Sequence, residues 1–124
     1  MIKIEAIQSI NRKLGATVLN RDNTHWANVI HYGSAEGWWL NIPFHKFAQD
    51  LHLILNCAAL HQYIHITIPA NSIRAPRTEF RNKDDAADIF MPLNGGDRLV
   101  DVQSGSSRHD FRKYMAVEYA YGSK

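Results

Sequence analysis

The stretch Ala87-Asp88-Ile89-Phe90-Met91-Pro92-Leu93-Asn94-Gly95-Gly96-Asp97-Arg98-Leu99-Val100-Asp101-Val102-Gln103-Ser104-Gly105 reads as two apolar runs joined by a tight turn. Asn94 to Asp97 supplies that turn, because glycine accepts the positive φ that a hairpin loop requires. The resulting register pairs Leu93 with Arg98, Met91 with Val100, Ile89 with Val102 and Asp88 with Gln103. Strand alternation then places Ile89, Met91, Val100 and Val102 on a core face, and Asp88, Phe90, Leu99, Asp101 and Gln103 on the other. On that second face Asp88 and Gln103 are expected ~5 Å apart at Cβ, with Asp101 diagonal to Asp88 at ~7–8 Å.

Outward from the hairpin, the rest of the chain supplies the layers. Ile4, Ile7, Ile10 and Leu14 recur at three- and four-residue steps, which predicts a helix over 3–14 ended by Gly15. Residues 24–32 and 38–42 are aromatic and β-branched, and the glycine-flanked 33–37 between them predicts a second hairpin. Pro43 suits the first turn of a helix. Phe44, Phe47, Leu51, Ile54, Leu55 and Ala58 continue it at helical spacing toward Leu60, with a strand over 51–55 as the rival reading. Ile64, Ile66 and Ile68 alternate with Tyr63, His65 and Thr67, a strand stopped by Pro69, whereas 70–86 has no period and reads as a long loop. Residues 109–113 suggest a helical turn and 114–121 a last strand, an edge available to a second copy of the chain. The sum is a single α+β domain over 1–124: a mainly antiparallel sheet of five to seven strands with two helices packed on one face.

Composition narrows the function classes. The 124 residues carry 14 basic and 12 acidic side chains, a net +2 too even to demand a polyanionic partner by itself. One cysteine, Cys57, excludes an internal disulfide and fits a reducing, cytoplasmic location, and no apolar run is long enough to span a bilayer. The cations nevertheless cluster, with Arg74, Arg77, Arg81 and Lys83 in one loop and Arg108, Arg112 and Lys113 near the C-terminus. Such groups pair with phosphates. Trp26, Trp38 and Trp39 fall on the predicted 24–42 hairpin, where consecutive tryptophans must point to opposite faces, so one of them lies outside the main core as a candidate stacking platform.

Three catalytic readings accompany this binding reading. Asp88 with Asp101-x-Gln103 resembles a fragment of the PD-(D/E)XK nuclease pattern, with Gln103 where lysine is usual; the resemblance implies Mg²⁺ on Asp88 and Asp101. His65-x-Thr67 resembles one of the two strands of the 2H phosphoesterases, in which the histidine moves a proton and the hydroxyl holds phosphate. Glu79, Arg98 and His109 resemble, in order, the base, cation and acid of small barnase-type ribonucleases, which need no metal. The sequence therefore points first to a nucleic-acid- or nucleotide-associated protein. A Mg²⁺-dependent nuclease or phosphodiesterase is the second reading. The third is an immunity or inhibitor module of a mobile element that uses its tryptophans on a protein partner.

Overall fold

A computed structural model describes residues 1–122. Its frame is one seven-stranded sheet. The strands are β1 (Thr24–Tyr32), β2 (Ala35–Pro43), β3 (Leu51–Cys57), β4 (Gln62–Ile68), β5 (Arg81–Lys83), β6 (Ala86–Pro92) and β7 (Met115–Ala120), in the spatial order β5-β6-β2-β1-β3-β4-β7. Every neighbouring pair is antiparallel except β1 with β3. With the helices α1 (Lys3–Leu14) and α2 (Pro76–Glu79), this is an α+β architecture. No helix among the described residues is long and apolar enough to cross a membrane.

Helix α1 forms as its pattern dictates. Glu5 accepts the Ile2 N–H at 2.9 Å at the N-terminus, and Gly15, at φ 70°, closes the C-terminus in the left-handed region. Its stripe of Ala6, Ile7 and Ile10 lies on Leu19, Ile54 and Tyr63, with Trp26 and Tyr119 packed at the margin. The opposite face of the sheet carries the larger core: Trp38, Leu40, Ile42, Leu53, Leu55, Ile64, Ile66, Ile89 and Met91 under Phe44, Phe47, Phe80 and Phe111.

The helix expected over 43–60 is not formed. Phe44–Ala48 is a single 3-10 turn, and the chain then enters β3, inserted between β1 and β4 with all seven residues buried. A strand covered on both faces has no polar side to alternate, so its continuous apolar run is indistinguishable by periodicity from a buried helix. For the same reason Tyr63 and His65, expected to face water, are buried under the α1 side of the sheet.

The hairpin over 87–103 is also revised. The turn is present, with Gly95 at φ 85° and the Arg98 N–H on the Gly95 carbonyl, but β6 pairs along its whole length with β2. Leu99 adopts φ 65°, which a strand does not tolerate, and Val100 bridges to Asp110. The segment from 99 to 103 nevertheless runs along the β6 edge left open beyond β5, the Leu99 N–H bonding to the Pro92 carbonyl and the Val102 N–H to the Phe90 carbonyl at 2.9 Å.

Candidate functional site

The half of the sheet that α1 leaves uncovered is built by β2, β6 and β5. Pairing registers set Arg81 opposite Asp88 and Asp88 opposite Asn41, a row of polar side chains on that face, with Phe90 opposite Trp39 in the next row. Tyr32, at the end of β1, stacks on Phe90 at 4.9 Å between centroids and meets Trp39 edge-on at 6.2 Å. Lys83 Nζ stands 5.1 Å over the Trp39 ring, a cation–π contact. Phe90 is buried beneath this layer, whereas Trp39 and Tyr32 are 38% and 40% exposed.

Asp88 fastens the layer from below. Its Oδ1 accepts the Trp39 indole N–H and the Asn41 amide, the latter at 2.7 Å; its Oδ2 accepts Gln103 Nε2 at 3.1 Å and faces Arg81 Nε at 3.7 Å. Gln103 Oε1 in turn receives the Tyr32 hydroxyl at 3.0 Å and an Arg81 N–H at 3.3 Å. Asp88 and Gln103 do meet, as the hairpin register required, but inside the protein. Three hydrogen-bond donors and a guanidinium around one carboxylate do not fit a Mg²⁺ ion, which takes hard oxygen ligands and water. Asp101 is buried as well: its Oδ1 accepts the Phe90 and Gln103 N–H groups at 3.1 and 3.0 Å, and Oδ2 has no partner among the described residues. Burial pushes its pKa up to about 6, against those two hydrogen bonds. No three His, Cys, Asp or Glu side chains among the described residues are grouped to hold a metal.

The tryptophans separate as alternation demands. Trp38 lies wholly in the core with its indole N–H on the Asn56 carbonyl, so it is closed to any base, and Trp26 is half-buried beside α1. Trp39 alone of the three is exposed.

Most of the clustered cations have internal partners. Arg77 bonds to Asp85 at 2.5 Å and lies over Phe44, Arg108 bonds to Asp97, and Arg112 grips both oxygens of Asp110 while also donating to the Gly96 carbonyl. The Arg112 bonds hold the Asp110 pKa down to about 2. The 108–113 cluster therefore pins the 94–97 turn. Arg74 and Lys83 have no acidic partner among the described residues, and the Arg81 side chain remains 43% exposed beside Asp88.

Glu79 and His109 also come together, in a different relation from that of a ribonuclease pair. His109 Nδ1 is 2.5 Å from Glu79 Oε2 and its Nε2 is 2.7 Å from the Tyr114 hydroxyl, with the ring against Phe80 and Phe111. Direct contact leaves no room for a phosphate between acid and base. Arg98 makes its bonds elsewhere, to the Leu93 carbonyl and Glu118. His65 likewise turns inward, its Nε2 2.9 Å from His52 Nδ1 and 3.3 Å from Thr67 Oγ1. Sequence reasoning placed Phe90 on the face of Asp88 but gave it no part, and it missed Asn41 and Tyr114, whose parts depend on neighbours distant in the chain, and His52, which lies in the stretch read first as helix and only second as strand.

Comparison with models of known protein families, with curated proteins and with solved structures found no match for this chain.

Proposed function

We propose that the chain binds single-stranded nucleic acid or a nucleotide on the β2–β6–β5 half of its sheet. One base stacks on Trp39 beside Tyr32, while Lys83 and Arg81 pair with the flanking phosphates. The observation that carries this reading is the Trp39 ring, 38% exposed, with Tyr32 edge-on and the flexible Lys83 ammonium 5.1 Å over its face, where a stacking base would displace it toward a phosphate, on a sheet face that no helix covers among the described residues. Arg74 is the next cation available. In this reading Asp88 and Gln103 act on the ligand only through Trp39, Arg81 and Tyr32, as positioning residues. The same triplet of Trp, Tyr and Arg would also suit a protein hot spot. Salt dependence separates the two, because phosphate pairing releases counterions.

Fluorescence anisotropy of a labelled oligothymidylate, titrated at several salt concentrations, tests the proposal. With two phosphate contacts the slope of log K against log salt is about −1.4, and Lys83→Ala reduces its size by about 0.7. Trp39→Leu weakens binding by about 1–3 kcal/mol with the slope unchanged, and Trp39→Phe, which keeps a π-face, recovers part of the loss. Binding indifferent to salt, or equal in Trp39→Leu once circular dichroism shows that the variant is folded, would discard it.

A further inference from the structure

The two edges of the sheet are unlike each other. Strand β5 is three residues long and carries Arg81 and Lys83, and the rest of the β6 edge is occupied by the 99–103 segment, so that side is blocked against further strands. Strand β7 has none of these protections. It is six residues long, Met-Ala-Val-Glu-Tyr-Ala, with no lysine, arginine or proline, and it pairs with β4 on one side only. Met115 is 74% exposed and Val117 36%. Its single charge, Glu118, is already met by Arg98 of the same chain at 3.2 Å.

We infer that β7 is a homodimer interface, pairing antiparallel with β7 of a second copy about a two-fold axis centred on Val117. A two-fold perpendicular to the sheet keeps each face continuous, so residues of equal parity stand opposite one another. Centring on Glu118 would set that carboxylate against its own copy, which is unfavourable for charges directly opposed across strands. Centring on Val117 instead puts Val117 against Val117, Met115 against Tyr119 and Glu118 against Ala116 of the other copy. Apolar side chains then meet apolar ones, and the one charge meets a methyl group. A foreign strand would find no unmatched charge to read here, whereas the chain's own β7 is complementary to itself. Five backbone pairs bury less than the ~1,200 Å² of a permanent interface, so the dimer is a concentration-dependent equilibrium. The two sheets become one of fourteen strands, and the aromatic layers over β2 lie far from the junction on each copy.

Cysteine scanning tests both the interface and its register. In Val117→Cys the two thiols face each other with Cβ atoms ~4.5–5.5 Å apart, within reach of a disulfide. In Met115→Cys they stand about 14 Å apart, four residues along each strand at ~3.4 Å per residue. Under mild oxidation Val117→Cys is expected to form covalent dimer several-fold faster than Met115→Cys, although the latter site is the more exposed and would win in random collisions. Sedimentation of the wild-type chain at millimolar concentration is expected to show dimer, and Val117→Lys only monomer with an unchanged circular dichroism spectrum. Cross-linking of Met115→Cys at an equal or greater rate, or a wild-type chain monomeric at millimolar concentration, overturns the inference.

Discussion

Glu79 Oε2 lies 2.5 Å from His109 Nδ1, a part-buried bond that joins the end of α2 to the segment leading into β7. Because the Glu79 carboxylate can only accept, the ring proton sits on Nδ1, and in the neutral imidazole that burial favours Nε2 is then left to accept from the Tyr114 hydroxyl. Burial drives the His109 pKa down, and the Glu79 bond opposes that only in part. The arrangement is a clasp across thirty residues of chain. Glu79→Ala is expected to cost about 1–3 kcal/mol by leaving a buried donor unpaired, and Tyr114→Phe about 1 kcal/mol. A Glu79→Ala/His109→Ala double-mutant cycle in urea should return a coupling of about 0.5–3 kcal/mol. A coupling near zero would mean the bond adds nothing.

His52 and His65 share one hydrogen between two ring nitrogens 2.9 Å apart, so at most one of them can gain a further proton without breaking the contact. Burial lowers both, His65 to about 4, and His25, half-buried with its inaccessible Nε2 unpartnered among the described residues, is also lowered to about 4. With folded-state pKa values below the unfolded value of 6.5, the unfolded chain binds more protons in acid. Stability is then intact above pH 6.5 and is lost as the pH falls toward 4. His65 alone should account for roughly 2–3 kcal/mol of that loss. His65→Leu should flatten the dependence of the urea midpoint on pH between 6.5 and 4.5 without abolishing it, since His25 remains.

How much of this was legible follows from where each signal lay. Helix α1 keeps one wet face and its period was readable; β4 alternates isoleucine with Tyr63, His65 and Thr67, so its strand was readable although its supposed wet side is largely buried; β3 is covered on both faces and lost its period, which left a strand over 51–55 only as the rival of a helix and left His52 without a role. The Asn94–Asp97 turn was visible in its glycines, but the positive φ of Leu99, a residue with no preference for it, was not. Asp88 and Gln103 were placed together correctly because turn and register fix neighbours locally. That the pair would be sealed by Tyr32, Trp39 and Asn41 depends on β2 pairing with β6 across some fifty residues, a non-local choice that no local pattern encodes.

Asp101 works against the histidines. Its carboxyl pKa, raised by burial to about 6 from 3.8, keeps a proton in the folded chain where the unfolded chain has released it. Its contribution is therefore fully present below about pH 4 and is lost as the pH rises through 6. Asp101→Asn removes that titration. The melting temperature of the variant relative to wild type should rise steadily between pH 4 and pH 7, whatever the offset at any one pH. A difference constant across that range would show that the carboxyl titrates normally.

At Gly37 the backbones of β2 and β6 leave no room for a side chain. A Cβ built there would stand 2.1 Å from the Met91 carbonyl oxygen and 2.9 Å from the end of the Phe90 ring, and the first of these is backbone that cannot turn aside. Gly37→Ala must push β6 away from β2, at a cost of about 1–3 kcal/mol or more. It must also tilt Phe90, on which Tyr32 stacks, so affinity for the oligothymidylate should fall along with stability. Gly96 is the control. A Cβ there meets nothing within 4 Å and its φ is not in the left-handed region, so Gly96→Ala should leave stability unchanged or raise it by about 0.4–1 kcal/mol through the unfolded chain. Urea denaturation of the two variants side by side checks this, and a Gly37→Ala midpoint at or above that of Gly96→Ala would mean that the close approach of β2 to β6 is not a constraint on this fold.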